Sequence, residues 1–188
     1  MKKHIYLFLL LAAYIPASLQ AQSGWTKPKK TYFLKLDYSS YTSSDFRNNE
    51  GTSLKTSEFT QNAASLYGEY GITDRLTAIG YVPVFKQNSY ETTNKVSGFG
   101  DVKLELKYAI LNKAFPLSIS IAPEFPTGTK DNFALNKNNP LEKINLPSGD
   151  GEFNLWTTVA ISHSFSPLKL YTSAYSAFNY RTTYKERN

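Results

Sequence analysis

The sequence predicts an all-β protein, an antiparallel up-and-down β-barrel of the kind that crosses a bacterial outer membrane. Three observations support this prediction. Apolar and polar residues alternate with period two, which is typical of β-strands. Most of the alternating segments have about the 9–11 residues that a tilted strand needs to cross a bilayer. Long and short connections between the segments alternate strictly along the chain.

The alternation is clearest at residues 101–111. Every second side chain from Val102 to Ile110 is apolar or aromatic, and the four residues that begin the other face are all charged, namely Asp101, Lys103, Glu105 and Lys107. A helix would spread these charges around its circumference, whereas a strand collects them on one face. The segment is therefore predicted to be a strand.

Six further segments show the same pattern, more or less cleanly, which brings the predicted strands to seven. They are residues 31–41, 64–72, 76–85, 117–125, 153–165 and 168–180. Trp156 interrupts the polar face of its segment and His163 interrupts the apolar face. No helix is predicted in the mature chain.

The connections predict on which side of a membrane each strand ends. The long ones are residues 42–57, 86–98 and 128–151, and the short ones are residues 73–75, 112–116 and 166–167. Outer-membrane barrels place short turns on the periplasmic side and long loops outside. A secreted β-sandwich or a soluble lipocalin-like barrel stays open as the alternative, because alternation alone also fits an apolar face that points inward.

Residues 1–21 are predicted to be a secretory signal peptide, and residues 22–188 the outer-membrane domain. Lys2 and Lys3 precede an apolar run that is too short to span a bilayer as a helix, and small residues follow it near Ala21. The alternative is a retained N-terminal anchor. The chain has no cysteine, which excludes disulfides, thiolate metal sites and a lipid-modified cysteine.

Charge and aromatic content predict which molecules surround the protein. Without Lys2 and Lys3, the 21 basic residues fall to 19 against 15 acidic ones, and the charges are interspersed. A nucleic-acid partner would need a basic patch, so none is predicted. The 14 tyrosines suit a membrane interface, where the ring lies in lipid and the hydroxyl in water. The expected partner is outer-membrane lipid of a Gram-negative cell.

Seven strands predict an incomplete barrel. Single-chain bacterial barrels have an even strand number, and an open edge in lipid leaves backbone groups unsatisfied at a cost of several kcal/mol each. The sequence is therefore expected to be the N-terminal part of a longer barrel. An eighth strand hidden in the sequence, or a barrel shared between protomers of unknown number, are the alternatives.

Four short motifs resemble the transporter-like outer-membrane family associated with the meta pathway of phenol degradation. They are YGITDRL at 70–76, GFGDV at 98–102 with KY at 107–108, PEFPTG at 123–128 and GDG at 149–151. The resemblance spans about residues 60–180. It implies a barrel of about a dozen strands and a role in the passage of small compounds, often aromatic or apolar ones. Each motif also has a local interpretation as turn chemistry that needs no ligand.

No catalytic, metal or cofactor site is predicted. His163 and Ser164 point to opposite faces of their strand, and the acidic residues in and beside the third long loop lack the spacing of a Ca²⁺ site. The candidate functional residues are charged side chains predicted to face the lumen: Lys35, Asp37, Glu69, Asp101, Lys103, Glu105, Lys107 and Glu124. They would line a wet pore in a wide barrel, or form a packed ion network in a narrow one.

Two functions follow from these expectations, and neither is enzymatic. The first is an outer-membrane barrel for the passive passage of small solutes, including aromatic or apolar ones. The second is a non-conducting structural or ligand-binding surface barrel.

Overall fold

The structure, a computed structural model, describes residues 23–182. The predicted signal peptide lies outside the described residues. The described part of the chain contains β-strands and their connections and no helix. Accordingly, it has no helix that is long and apolar enough to cross a membrane.

Ten strands follow one another in the described part of the chain. They are β1 (Tyr32–Arg47), β2 (Ser53–Thr73), β3 (Leu76–Tyr90), β4 (Val96–Gly98), β5 (Val102–Leu111), β6 (Leu117–Phe125), β7 (Phe133–Leu135), β8 (Lys143–Asn145), β9 (Asn154–Ser164) and β10 (Tyr171–Arg181).

Eight of these strands form one antiparallel sheet that curls into a half-barrel, and seven of them make up its continuous path. Their order is β1-β2-β3-β5-β6-β9-β10, so neighbours in the sheet follow one another along the chain except for the short strands between them. The short β4 pairs with β3, and β7 pairs with β8 in a separate two-stranded sheet. The predicted all-β, antiparallel, up-and-down architecture is confirmed. Among the described residues, β1 and β10 each have one edge without a partner strand.

Two of the three short connections agree with the prediction, whereas the third, predicted as residues 166–167, spans residues 165–170. Residues 74–75, 112–116 and 165–170 link consecutive strands at one edge of the half-barrel, which we call the turn end. The opposite ends of the strands, which we call the loop end, are joined by the three longer connections.

The longer connections are more ordered than predicted. The prediction of a loop at residues 42–57 is wrong, because β1 continues to Arg47, β2 begins at Ser53 and the two remain paired across a register shift near Ser43. Serine and threonine are compatible with strands whose two faces both meet water. Period-two hydrophobicity is absent from such a hairpin, so the sequence pattern could not detect it.

The other two long connections also contain strands. β3 runs on to Tyr90, which pairs with Phe59, and β4 lies within the predicted loop 86–98. β7 and β8 lie within the predicted loop 128–151. Asparagine side chains bind the backbone in this loop, as where the Asn145 side-chain oxygen accepts from the Asn132 amide at 2.8 Å.

The sheet exposes its apolar face and buries its polar one. On β5, Leu104 and Leu106 are 49% and 54% exposed, whereas the charged Glu105 and Lys107 are 5% and 6% exposed. β6 and β9 follow the same rule, with Ile121 exposed and the neighbouring Ser120 buried. Water-soluble proteins bury apolar side chains and expose charged ones. The half-barrel therefore has an apolar convex face and a polar concave face, the reverse of the arrangement in a soluble sandwich or lipocalin-like barrel.

Candidate functional site

The concave face brings most of the predicted charged residues together in rows. Cross-strand register places side chains side by side on one face, because paired residues point the same way. One row consists of Lys35, Tyr67, Tyr81, Lys103, Glu124, Asn154 and Arg181. The next row, nearer the turn end, begins with Phe33, Glu69, Ile79 and Glu105 and ends with Trp156 and Asn179. Charges of both signs therefore share the concave face.

Three of the predicted carboxylates have partners on this face. Glu69 accepts a hydrogen bond from the Tyr67 hydroxyl at 2.5 Å and lies 3.4 Å from the Lys27 ammonium. Glu124 accepts a hydrogen bond from the Trp156 indole N–H at 2.8 Å. Asp37 forms an ion pair with Lys35 at 2.7 Å, and both are substantially exposed. These contacts fix individual side chains but do not amount to one continuous ion network.

The charges in the centre of β5 are less well paired. Glu105 is buried, and no hydrogen bond or ion pair to its carboxylate is found among the described residues. Lys103 and Lys107 likewise form no ion pair within the part of the chain that the structure describes. A charge taken out of water without a partner is costly. This part of the concave face therefore contains charged side chains without hydrogen-bond or ion-pair partners among the described residues.

A cavity of about 160 Å³ opens beside these residues. Strands β5, β6, β9 and β10 all contribute to its wall, through side chains that include Lys103, Glu105, Trp156, Thr158, Tyr175 and Ala177. Trp156, which looked in the sequence like a break in the polar face, belongs to that face and supplies both a ring and an N–H. Tyr175 and Ala177 were not singled out from the sequence, because the alternation in β10 is loose.

Asp101 differs from the other predicted residues. It lies just before β5, and its two carboxylate oxygens accept the backbone N–H groups of Gly128 and Asp150, each at 2.9 Å. A methyl group on Gly128 would come within 2.6 Å of the Gly149 backbone, so both residues must be small for the loop ends to meet. Three of the four sequence motifs therefore meet at the base of the third long loop. There Asp101, Gly128, Gly149 and Asp150 form a cluster that we call the clasp.

Arg181 completes the clasp at the loop end of the concave face. Its guanidinium lies 2.6 Å from Asp150 and 3.0 Å from Glu152, and it also donates to the Asn154 side-chain oxygen at 2.8 Å. Sequence patterns missed Arg181 because it is a single basic residue at the end of the most loosely patterned strand. The clasp links β10 to the third long loop and, through Asp150, to Asp101.

Residues 23–30, which we call the strap, cross the concave face at the turn end. The strap passes from β9 to β2: the Gly24 amide donates to the Ser162 hydroxyl at 2.8 Å, and the Lys27 amide donates to Thr77 at 2.8 Å. The Lys30 amide then donates to the Gly71 carbonyl at 2.8 Å, where β1 is about to begin. The strap could not be predicted from the sequence, because its residues have neither periodicity nor a recognisable motif.

His163 lies on the convex side at the turn end, as its position in the alternation predicts. Its Nδ1 is 2.8 Å from the Ala114 carbonyl oxygen. The ring stacks on Phe115 with centroids 4.5 Å apart and meets Phe165 edge-on at the same distance. The histidine is thus held in an aromatic cluster.

Among residues 23–182, no group of three or more histidine, cysteine, aspartate or glutamate residues is placed to hold a metal ion. No protein-family model matches the chain, and no curated protein matches it. The family resemblance of the short motifs therefore stays a prediction.

Proposed function

We propose that the chain forms part of an outer-membrane β-barrel for the passive passage of small solutes. The observation that carries this proposal is the inversion of the sheet, with leucine and isoleucine side chains exposed on the convex face and charged ones buried on the concave face. Such a surface is unfavourable in water and favourable in lipid. A bacterial outer membrane is the environment in which β-barrels with short periplasmic turns occur.

The aromatic side chains support the same orientation. At the turn end, Phe115 and Phe165 enclose His163. At the loop end, Phe125 meets Phe153 edge-on with centroids 5.8 Å apart. Aromatic girdles at both interfaces are typical of outer-membrane barrels. In this proposal the apolar band between the two groups faces lipid, the turn end faces the periplasm and the loop end faces outside.

The concave face supplies the proposed mechanism. Its charged side chains would line a lumen that holds water, and solutes would diffuse down their gradient without a cofactor or catalysed step. The motif resemblance points to aromatic or apolar solutes. The mixed charges of Lys103, Glu105 and Lys107 favour solutes that also carry polar groups, because such groups can supply the hydrogen-bond partners that these side chains lack among the described residues. The non-conducting surface barrel is the second candidate, favoured by the strap across the turn end.

Conductance separates these two candidates. The full-length protein, folded in detergent and inserted into planar lipid bilayers, is expected to give stepwise ion currents. Lys103→Glu changes the sign of one charge on the concave face, and we expect it to shift the reversal potential in a salt gradient toward cation preference. A current that is indifferent to this change would come from leak around the protein. Bilayers that stay silent although the protein has inserted would refute the channel and favour the non-conducting barrel.

A further inference from the structure

The cavity on the concave face has the size of a six-membered ring. Its volume is about 160 Å³, and a protein cavity of about 150 Å³ is known to hold benzene. Its wall belongs to four adjacent strands of one sheet, so the lining side chains are held by ladder hydrogen bonds instead of loops. Binding sites of this kind need little reorganisation when a ligand enters.

The wall of the cavity presents a carboxylate without a hydrogen-bond partner among the described residues. Glu105 is 5% exposed and its Oε1 has no hydrogen-bond partner among the described residues. The two other carboxylates nearby, Glu69 and Glu124, are both hydrogen-bonded. An unpaired buried carboxylate is destabilising unless a donor reaches it. A ligand that brings a donor to Glu105 would relieve this cost.

The same wall presents a donor of the opposite charge. Lys103 lines the cavity with Glu105 and forms no ion pair among residues 23–182. A cationic ligand that approached Glu105 would be repelled by Lys103, and an anionic ligand that approached Lys103 would be repelled by Glu105. A hydroxyl group is neutral and both donates and accepts hydrogen bonds. Neutral ligands that carry several hydroxyl groups therefore fit the charges of the wall.

The remaining wall selects for a ring. Trp156 and Tyr175 supply aromatic surface, and the small side chain of Ala177 leaves the space open. Aromatic rings bury apolar C–H surface while polar neighbours bind the substituents. We propose that this cavity is a binding site for a neutral, hydroxyl-rich six-membered ring, the chemistry of a monosaccharide. This assignment narrows the proposed function to hydroxylated rings, in place of the aromatic or apolar solutes to which the motif resemblance points, and it rests on that function only in taking the bound ring to be a solute in passage.

Tryptophan fluorescence tests the assignment with the full chain folded in detergent micelles. The chain has two tryptophans, so Trp25→Phe leaves Trp156 as the only reporter. Titration with glucose is expected to give a saturable change. Glu105→Ala in this background should weaken glucose binding about tenfold, which corresponds to the loss of one hydrogen bond to a charged group. The matched control is Glu58→Ala, an exposed carboxylate in the outer part of β2, which should leave binding unchanged.

Two charged rings of the same size test the selectivity. Cyclohexylamine and cyclohexanecarboxylate should both bind more weakly than glucose, and tighter binding of either would overturn the assignment. If Glu105→Ala fails to fold, Ala177→Phe replaces it, since Ala177 is exposed and the larger side chain would fill the cavity without changing a charge. Glucose binding that survives Ala177→Phe would also overturn the assignment. Binding without conductance would refute the channel alone, and conductance without binding would refute this site alone.

Discussion

Single residues on β5 test the proposal that the convex face of the sheet meets lipid. Leu104 is on the convex face and half exposed, whereas Lys103 next to it is on the concave face. Leu104→Arg should therefore lower the free energy of unfolding by ~2–4 kcal/mol if its side chain meets lipid near the midplane. Urea titration of the protein in lipid vesicles measures the difference between variant and parent.

Lys103→Glu is the control for the leucine substitution. It changes a charge on the concave face, where lipid does not desolvate the side chain, so the variant should lose less stability than Leu104→Arg even though the new carboxylate lies opposite Glu124. The opposite result, a silent Leu104→Arg and an unfolded Lys103→Glu, would mean that the convex face does not meet lipid.

At the scale of elements, the strap is a peptide segment held by strands that it crosses. Its amides bind Ser162 on β9 and Thr77 on β3, and Lys27 reaches Glu69 on β2. Gly24 is one of two tight points, the other being Gly71 against the Pro28 carbonyl: a methyl group on Gly24 would lie 2.7 Å from the Pro116 carbonyl carbon and 3.1 Å from the Ala160 carbonyl oxygen. Backbone atoms bound into the sheet cannot shift as a side-chain tip can, so the added methyl group would displace the strap from the sheet.

Gly24→Ala should therefore release the strap while the sheet stays folded. Limited digestion with trypsin measures this, since Lys29 and Lys30 are held by hydrogen bonds to Asp74 and Gly71. We expect faster cleavage after these lysines in the variant and, if the barrel conducts, a larger single-channel current. Gly80→Ala is the matched control, because a methyl group there only touches the Leu104 side chain at 3.9 Å. Equal cleavage of both variants would show that the strap is not held at Gly24.

At the scale of the whole molecule, periodicity predicted the strands that have one apolar and one polar face. It also placed Lys103, Glu105 and Lys107 on a common face, because that placement follows from the period of the strand alone. It could not predict that β1 and β2 stay paired through residues 42–47 and 53–57, because this part of the hairpin is mostly polar and lacks the alternation.

Contacts between segments that are distant in the sequence could also not be predicted from it. The bonds from Asp101 to Gly128 and Asp150, and the path of the strap, depend on how the sheet curls and not on any local pattern. The cavity beside Trp156 depends on the same curvature. Local periodicity therefore predicted which face a side chain occupies, while tertiary structure determined what that side chain meets.

The two free edges of the sheet run in the same direction. β1 and β10 both begin at the turn end, because seven antiparallel strands place the first and the last parallel to each other. Two copies related by rotation about the barrel axis would bring β10 of one against β1 of the other in a parallel pair. This breaks the antiparallel pattern of outer-membrane barrels, so closure by an odd number of further strands is the better solution.

For the proposed outer-membrane barrel, we therefore predict that the edges are paired by an odd number of further strands of the same polypeptide. Unpaired edges in lipid would cost several kcal/mol for each unsatisfied backbone group, so closure is required if the convex face meets lipid. Intact mass spectrometry of the protein from the outer-membrane fraction of its native cells measures the outcome. We expect a mass well above that of residues 22–188. A mass equal to that of residues 22–188 would contradict closure within one polypeptide, and barrels shared between copies would then become the better explanation.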